Sequence, residues 1–98
     1  MRSIQETQKE FFETLSSIQD SAVYQALVEY DKNDSLEDLL YNTTYEAITS
    51  ICELLDGYTN DKIQLDLIDM KSGKSIKEGI QMHDVCANYL KWENPNRE

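Results

Sequence analysis

The sequence lacks long apolar runs and contains only two cysteines, which together exclude several classes of protein. No apolar run is long enough to cross a bilayer, so no membrane-spanning segment is expected. Residues 1–12 contain no apolar stretch typical of a secretory signal. Two cysteines are too few for a disulfide scaffold, and both Cys52 and Cys86 fall on apolar helical stripes. We therefore expect reduced core thiols and a cytoplasmic protein.

Positive charge is also scarce, and its distribution is uneven. Nine Lys and Arg residues stand against 19 Asp and Glu, which gives a net charge of −10. Up to Asp61 the chain contains three basic and thirteen acidic residues, whereas from Lys62 onward it contains six of each. Nucleic acids and anionic membranes require clustered Lys and Arg, so neither is an expected partner. The charge favours a basic protein partner.

Histidine occurs once, at His83, which leaves little material for a catalytic or metal site. The dipeptide His83-Asp84 also occurs in metal-dependent phosphohydrolases, but those sites need further histidines. Asp84 is better explained by the first turn of a helix, where a carboxylate meets the positive end of the dipole. We predict no metal, no cofactor and no catalytic residues. A small carboxylate- or metal-dependent enzyme stays as a remote alternative.

Two short segments resemble ligand-binding loops without completing them. Residues 72–75, Ser-Gly-Lys-Ser, match the end of a phosphate-binding loop, but position 68 is Ile where that motif needs Gly. Residues 31–35 resemble the start of a calcium loop, but positions 36 and 42 are Leu and Asn instead of Gly and Glu. A hairpin loop and a helix cap explain these segments better.

The clearest amphipathic helix is predicted over residues 43–57. Thr43 and Glu46 have the spacing of a capping box, and Gly57 can adopt the left-handed conformation that ends a helix. Between them, apolar side chains recur at helical spacing. These are Tyr45, Ile48, Ile51, Cys52 and Leu55.

Further helices are predicted on both sides of it. One covers residues 4–30, begins with a capping box at Ser3, and is either continuous or broken near 19–21. Another begins near Leu36 after a cap at Asp34 or Ser35, and residues 42–44 either continue it or form a joint. A last helix runs from about Met82 to Trp92, and residues 94–98 are expected to be a flexible tail.

After Gly57 the apolar residues no longer recur at helical spacing but at every second position, which predicts a β-hairpin near residues 62–78. Residues 63–67 alternate apolar and polar, which indicates a half-buried strand that ends near Met70. Residues 71–74 form the loop, and 75–77 the return strand. The predicted fold is a single α+β domain over residues 1–93, mainly helical, with three to four helices and one hairpin. Because a lone hairpin leaves two unpaired edges, we also expect a homodimer that pairs those edges or buries Phe11, Phe12 and Trp92.

Several acidic residues occupy positions that helix stability disfavours. Glu29 and Asp31 end one predicted helix, and Glu53 and Asp56 end another, where carboxylates face the negative end of the dipole. Replacing Glu53 and Asp56 by amides is therefore expected to hold or slightly raise stability. Two explanations are open. These acids are part of a generally acidic surface without a specific role, or they form a negative field that faces a basic partner. The candidate partner-binding residues are Glu29, Asp31, Asp34, Glu37, Asp38, Glu46, Glu53, Asp56 and Asp61.

In size, acidity and lack of catalytic motifs, the chain resembles small acidic bacterial or phage proteins that bind and block another protein. Immunity proteins and phage-borne inhibitors are of this type. The resemblance covers no diagnostic motif, so it assigns no residue roles. It implies a non-enzymatic binding module of the inhibitor or immunity type. The alternative is a homo-oligomeric structural or adaptor protein.

Overall fold

Two long helices joined by a short turn form an antiparallel helical hairpin, a short C-terminal helix packs against the second of them, and a small β-hairpin lies between these helices in sequence. The computed structural model describes residues 3–32 and 34–92. The predicted mainly helical α+β fold is confirmed. Within these residues, no helix is both long and apolar enough to cross a membrane. The elements are α1 (Ile4–Glu29), α2 (Leu36–Leu55), β1 (Ile68–Asp69), β2 (Lys74–Ser75) and α3 (Met82–Cys86).

Helix α1 is continuous, and its predicted start is confirmed. The Ser3 side chain accepts a hydrogen bond from the backbone N–H of Glu6 at 3.1 Å and so satisfies one of the four orphan donors. Residues 19–21 remain helical because the flanking Ile18 and Ala22 are buried, and this packing outweighs their weak helix propensity.

Helix α2 begins at Leu36, so the predicted start at Thr43 is wrong. Ser35 and Asp38 form a reciprocal capping box, with N···O distances of 3.1 and 3.4 Å. Residues 42–44 continue the helix, and the Thr43 hydroxyl donates a hydrogen bond to the Leu39 carbonyl at 2.7 Å. The sequence contains two cap signals, Ser35 with Asp38 and Thr43 with Glu46. Only the first, which lies next to the α1–α2 turn, begins the helix.

The end of α2 follows the prediction. Gly57 adopts a φ of +92°, which only glycine accepts without strain. Its N–H donates to the Leu54 carbonyl, and the N–H of Tyr58 donates to the Glu53 carbonyl, both at 3.0 Å. This pair of hydrogen bonds is a Schellman motif.

A distant lysine completes this helix end. Lys77 Nζ donates to the carbonyl of Leu55 at 2.6 Å and to that of Leu65 at 2.7 Å. The last turn of α2 itself contains no basic residue. The ammonium of Lys77 therefore supplies the positive charge that the helix dipole favours at this position.

The segment that follows α2 packs against α1 before the β-hairpin begins. The amide of Asn60 donates to Glu10 Oε1 at 2.7 Å and to Thr14 Oγ1 at 2.9 Å. Ile63 is buried and Leu65 is half-buried, as the alternating pattern predicts. This segment crosses the helical hairpin and covers one end of its core.

The β-hairpin is shorter than predicted. Only Ile68–Asp69 and Lys74–Ser75 pair, antiparallel, and residues 63–67 are not a strand.

Within 63–67 only Ile63 and Leu65 are buried or half-buried, and Ile63 packs in the core between the helices. Backbone pairing reaches Leu67 alone, whose carbonyl accepts the Ile76 N–H at 2.8 Å. The period-two pattern is confirmed for Ile63 and Leu65 as inward residues, but it is wrong for Leu67, which is 43% exposed, and for the long strand.

The core is small and joins three parts of the chain. Ile18 from α1, Leu54 from α2 and Ile63 from the following segment form one buried cluster, in which Leu54 is only 1% exposed. Partly buried side chains surround it, namely Phe11, Leu15, Ile51 and Leu65.

The C-terminal helix is also shorter than predicted. It ends at Cys86, residues 87–89 form a turn, and the predicted extension to Trp92 is wrong. Asp84 lies in its first turn, as predicted. The predicted tail at residues 94–98 lies outside the described residues.

Candidate partner-binding surface

Two of the nine candidate acids are not on the surface. Asp38 is 6% exposed, and its carboxylate accepts the Ser35 N–H in the capping box of α2. The side chain of Asp56 is 4% exposed. Both carboxylates serve the fold, which a count of acids along the sequence does not reveal.

Asp56 connects the end of α2 to the start of α3. Its Oδ1 accepts the Met82 N–H at 2.9 Å, its Oδ2 accepts the His83 N–H at 2.9 Å, and Oδ2 also lies 2.7 Å from His83 Nδ1. Asp56 therefore caps the N-terminus of α3, although it lies at the C-terminal end of α2 in the sequence. The sequence around Asp56 gives no sign of this role. The expectation that an amide at this position holds or raises stability is corrected, because neutralising this carboxylate weakens three contacts.

The contact between Asp56 and His83 shifts the pKa of both side chains. Burial alone would raise the pKa of Asp56, but the hydrogen bonds from His83 and Met82 outweigh burial and lower it below its usual value. The hydrogen bond to Asp56 raises the pKa of His83, with further support from the carboxylates of Asp84 and Glu53. The imidazole also contacts the edge of the Tyr58 ring, at a centroid distance of 5.2 Å.

These shifts predict a pH optimum for stability. Because the pKa of His83 is raised on folding, its contribution is complete below about pH 6.5 and is lost as pH rises through the folded value. Because the pKa of Asp56 is lowered, its contribution is present above about pH 3.9 and is lost as pH falls further. Urea unfolding from about pH 3 to 9 should show both limbs.

Replacing His83 by Gln separates the two limbs. His83 is the only histidine in the sequence, so no other side chain with an ordinary pKa titrates between about pH 6 and 8. His83→Gln should flatten the decline on the alkaline side and leave the acid limb in place. Parallel curves for the wild type and the variant in this range would contradict the assignment.

Two further candidate acids, Glu46 and Glu53, lie on one side of the helical hairpin. Together with Asn42 they follow the buried Asp38 on α2 at intervals of four, four and seven residues, which places all four side chains on one helix face. Burial raises the pKa of Glu46, and the negative charges of Glu29 and Glu53 raise it further. We call the surface made by these side chains the acidic face; its residues are Glu29, Asp34, Asp38, Asn42, Glu46 and Glu53.

A cavity of about 190 Å³ lies at the turn end of the acidic face. Three carboxylates line it, from Glu29, Asp34 and Asp38, together with the rings of Tyr30 and Trp92. Asn42 also lines the cavity, and its buried Oδ1 receives no hydrogen bond from the described residues. A cation with N–H donors is the chemical group that such a lining suits.

The remaining candidate acids are exposed and lie in or beside the two turns. Asp31 lies in the α1–α2 turn, where its N–H donates to Asp34 Oδ2 at 3.0 Å. Glu37 lies in the first turn of α2. Asp61 follows the other end of that helix, so the structure does not bring it to the cavity.

The opposite side of the helical hairpin carries a groove that sequence reasoning missed. It has a volume of about 470 Å³, and none of its ten lining residues is charged. In α2 it is bordered by Leu40 and Ile48, which are 56% and 42% exposed. The spacing of Leu36, Leu40 and Ile48 marks an apolar stripe in the sequence, but only the packing of α1 shows that this stripe stays uncovered. We call this surface the uncharged groove, with Leu15, Gln19, Val23, Thr44, Ala47 and Ile51 among its lining residues.

Metal-ligating side chains and thiols are the other candidate groups in the sequence. In residues 3–32 and 34–92, no group of three or more His, Cys, Asp or Glu side chains could hold a metal ion. Cys52 and Cys86 are free thiols. Burial, followed by a hydrogen bond with Cys86, raises the pKa of Cys52 to about 11, so its thiolate is scarce at neutral pH.

The two surfaces of the helical hairpin therefore differ in character, one acidic with a lined cavity and one apolar and uncharged. No family model, no curated protein and no solved structure matches this chain, so the function is argued from its geometry alone.

Proposed function

We propose that this chain is a non-enzymatic protein-binding module, of the inhibitor or immunity type, that engages a basic partner through its acidic face. The observation that carries the proposal is a cavity lined by three carboxylates and by the rings of Tyr30 and Trp92. Gathering like charges around one cavity costs free energy, and a cation from a partner would offset that cost. Free thiols at Cys52 and Cys86 are consistent with a cytoplasmic location.

The cavity suits the end of one Lys or Arg side chain. Its volume of about 190 Å³ is below the size of typical small-molecule sites, which begin near 300 Å³. An ammonium or guanidinium would donate hydrogen bonds to the lining carboxylates and neutralise part of their charge. The Trp92 and Tyr30 rings would add cation–π attraction and exclude water.

The wider acidic face would guide the partner to this cavity. After burial, the negative charges of Glu29 and Glu53 raise the pKa of Glu46, so the three carboxylates lie within one negative potential that a basic partner would relieve. Such a field increases association rates more than it slows dissociation. Binding should therefore be fast at low salt and weaken as salt rises.

A triple amide variant tests the proposal. The partner is first obtained by affinity purification with the wild-type chain, and its association rate is then measured at low and high salt. Glu29→Gln, Glu46→Gln and Glu53→Gln together should slow association about tenfold at low salt and flatten its salt dependence.

A control with the same change of charge distinguishes the acidic face from net charge. Glu13→Gln, Asp20→Asn and Glu78→Gln remove three exposed carboxylates that lie outside the cavity and are not part of the acidic face. The control should associate at nearly the wild-type rate. Equal rates for the two triple variants, or a co-purifying partner without a basic surface, would overturn the proposal.

A further inference from the structure

The uncharged groove points to a second interaction that does not depend on the acidic face. All ten residues that line it are apolar or neutral, in a chain in which 29% of residues are charged. Surface helices normally carry charge on the side away from the core. A contiguous uncharged surface beside exposed Leu40 and Ile48 therefore indicates a region that is covered by protein.

The total surface of the chain supports the same conclusion. Counted over the whole chain, the exposed surface is 7462 Å², against about 5,800 Å² for a compact monomer of 11.4 kDa. Exposed apolar side chains in several parts of the chain contribute to it, among them Val23, Leu40 and Ile48 at the groove. Permanent homodimers bury about 1,000–2,500 Å² per subunit, and an interface at the groove would draw on this surface.

The groove also lies beside a ridge that could fill it. Leu36, Leu40, Thr44 and Ile48 follow each other every four residues along α2, and all four are exposed. Ridges of this spacing pack into grooves between side chains of another helix. Each copy therefore offers both a ridge and a groove, which is the requirement for a two-fold symmetric contact.

We propose that two copies of this chain pair through the uncharged groove to form a four-helix bundle, with the acidic faces outward. In this arrangement each α2 ridge lies in the groove of the other copy. Small side chains at Ala22 and Ala47 in the groove floor let the helices approach closely. The contact differs from the pairing of hairpin edges that the sequence suggests.

Charge predicts an unusual salt dependence for this dimer. Each copy carries a net charge of −10, so two copies repel each other, while the contact itself contains no charged residue. Salt screens that repulsion, so raising the salt concentration should strengthen the dimer. A basic partner on the acidic face would show the opposite trend, which keeps the two proposals distinguishable.

Sedimentation velocity with a pair of valine variants tests the dimer. Val23 lines the groove, whereas Val28 lies about 140° away around α1, and both are exposed, at 44% and 61%. The wild type and Val28→Glu should sediment at twice 11.4 kDa at high micromolar concentration. Val23→Glu should raise the dissociation constant at least tenfold relative to Val28→Glu, roughly the cost of burying an unpaired carboxylate.

A second variant tests whether added negative charge alone explains weaker dimerisation. Thr44→Lys places a charge in the groove but lowers the repulsion between copies, so weaker dimerisation would have to come from the contact itself. Far-UV circular dichroism of each variant confirms that α1 and α2 are retained. A wild-type chain that stays monomeric at high micromolar concentration and high salt would overturn the proposal. Equal dissociation constants for Val23→Glu and Val28→Glu would overturn it as well.

Discussion

Replacing Asp56 by Ala should reduce the free energy of unfolding by about 2–3 kcal/mol. The substitution removes the acceptor of the Met82 and His83 N–H groups and leaves the His83 imidazole without its closest partner. A domain of this size is stable by about 5–15 kcal/mol, so this loss is a large part of the total. Urea unfolding at neutral pH measures it directly.

The loss should be concentrated at the C-terminal end of the chain. The α3 helix has five residues and no side-chain cap other than the distant Asp56, so it has little stability of its own. Hydrogen exchange of the backbone amides of residues 82–86 should therefore accelerate, because the contacts of Asp56 are lost whenever α3 opens, even while α1 and α2 stay paired. Unchanged exchange at residues 82–86 would contradict the capping role.

Asp84→Ala is the matched control for Asp56→Ala. Asp84 also lies near the His83 ring, at 3.4 Å from Nε2, but its side chain is 70% exposed. Exposed ion pairs contribute about 0–1 kcal/mol, so this variant should stay close to wild type in stability. If the two alanine variants lose similar stability, the buried hydrogen bonds of Asp56 are not what holds α3 in place.

Replacing Leu54 by Ala is expected to have an effect of similar or larger size, about 3 kcal/mol. Leu54 is 1% exposed and packs between Ile18 of α1 and Ile63 of the following segment. Truncation to Ala leaves a cavity among three parts of the chain, and a core with few buried residues has little capacity to fill it. The melting temperature should fall by about 10–20 °C.

Leu36→Ala provides the comparison for Leu54→Ala. Leu36 lies on the same helix but is 68% exposed, so its truncation removes little buried area. Its melting temperature, measured at low micromolar concentration to limit self-association, should stay near that of the wild type. A fall as large as that of Leu54→Ala would show that the stability of this chain does not rest on the Ile18, Leu54 and Ile63 cluster.

Local signals in the sequence predicted the parts of the fold that depend on neighbouring residues. Ser3 caps α1, Ser35 was one of two caps named for α2, and Gly57 ends α2 with a φ of +92°. Each of these depends on hydrogen bonds between near neighbours in the chain, which a sequence motif describes completely. The start of α2 was misplaced because Thr43 and Glu46 carry an equally good cap signal, and local chemistry alone cannot choose between two such signals.

The strand prediction failed for a different reason. The alternation in residues 63–67 reflects which side chains face inward, and Ile63 is indeed buried. A strand also needs a partner backbone, and the period of the sequence carries no information about one. Among the described residues, a paired strand forms only at Ile68–Asp69, with one further backbone hydrogen bond from Ile76 to the Leu67 carbonyl.

The sequence alone determined the helical α+β class, the caps and the surplus of negative charge before Lys62, because composition and short-range hydrogen bonding suffice for these. Only the tertiary structure decided what the individual acids do. Asp56 became a helix cap and Lys77 a partner for the end of α2 because segments that are distant in sequence meet there. The packing of α1 on α2 also separated an acidic face from an uncharged groove. Periodicity identifies the faces of one helix, but which of them stays uncovered depends on what packs against it.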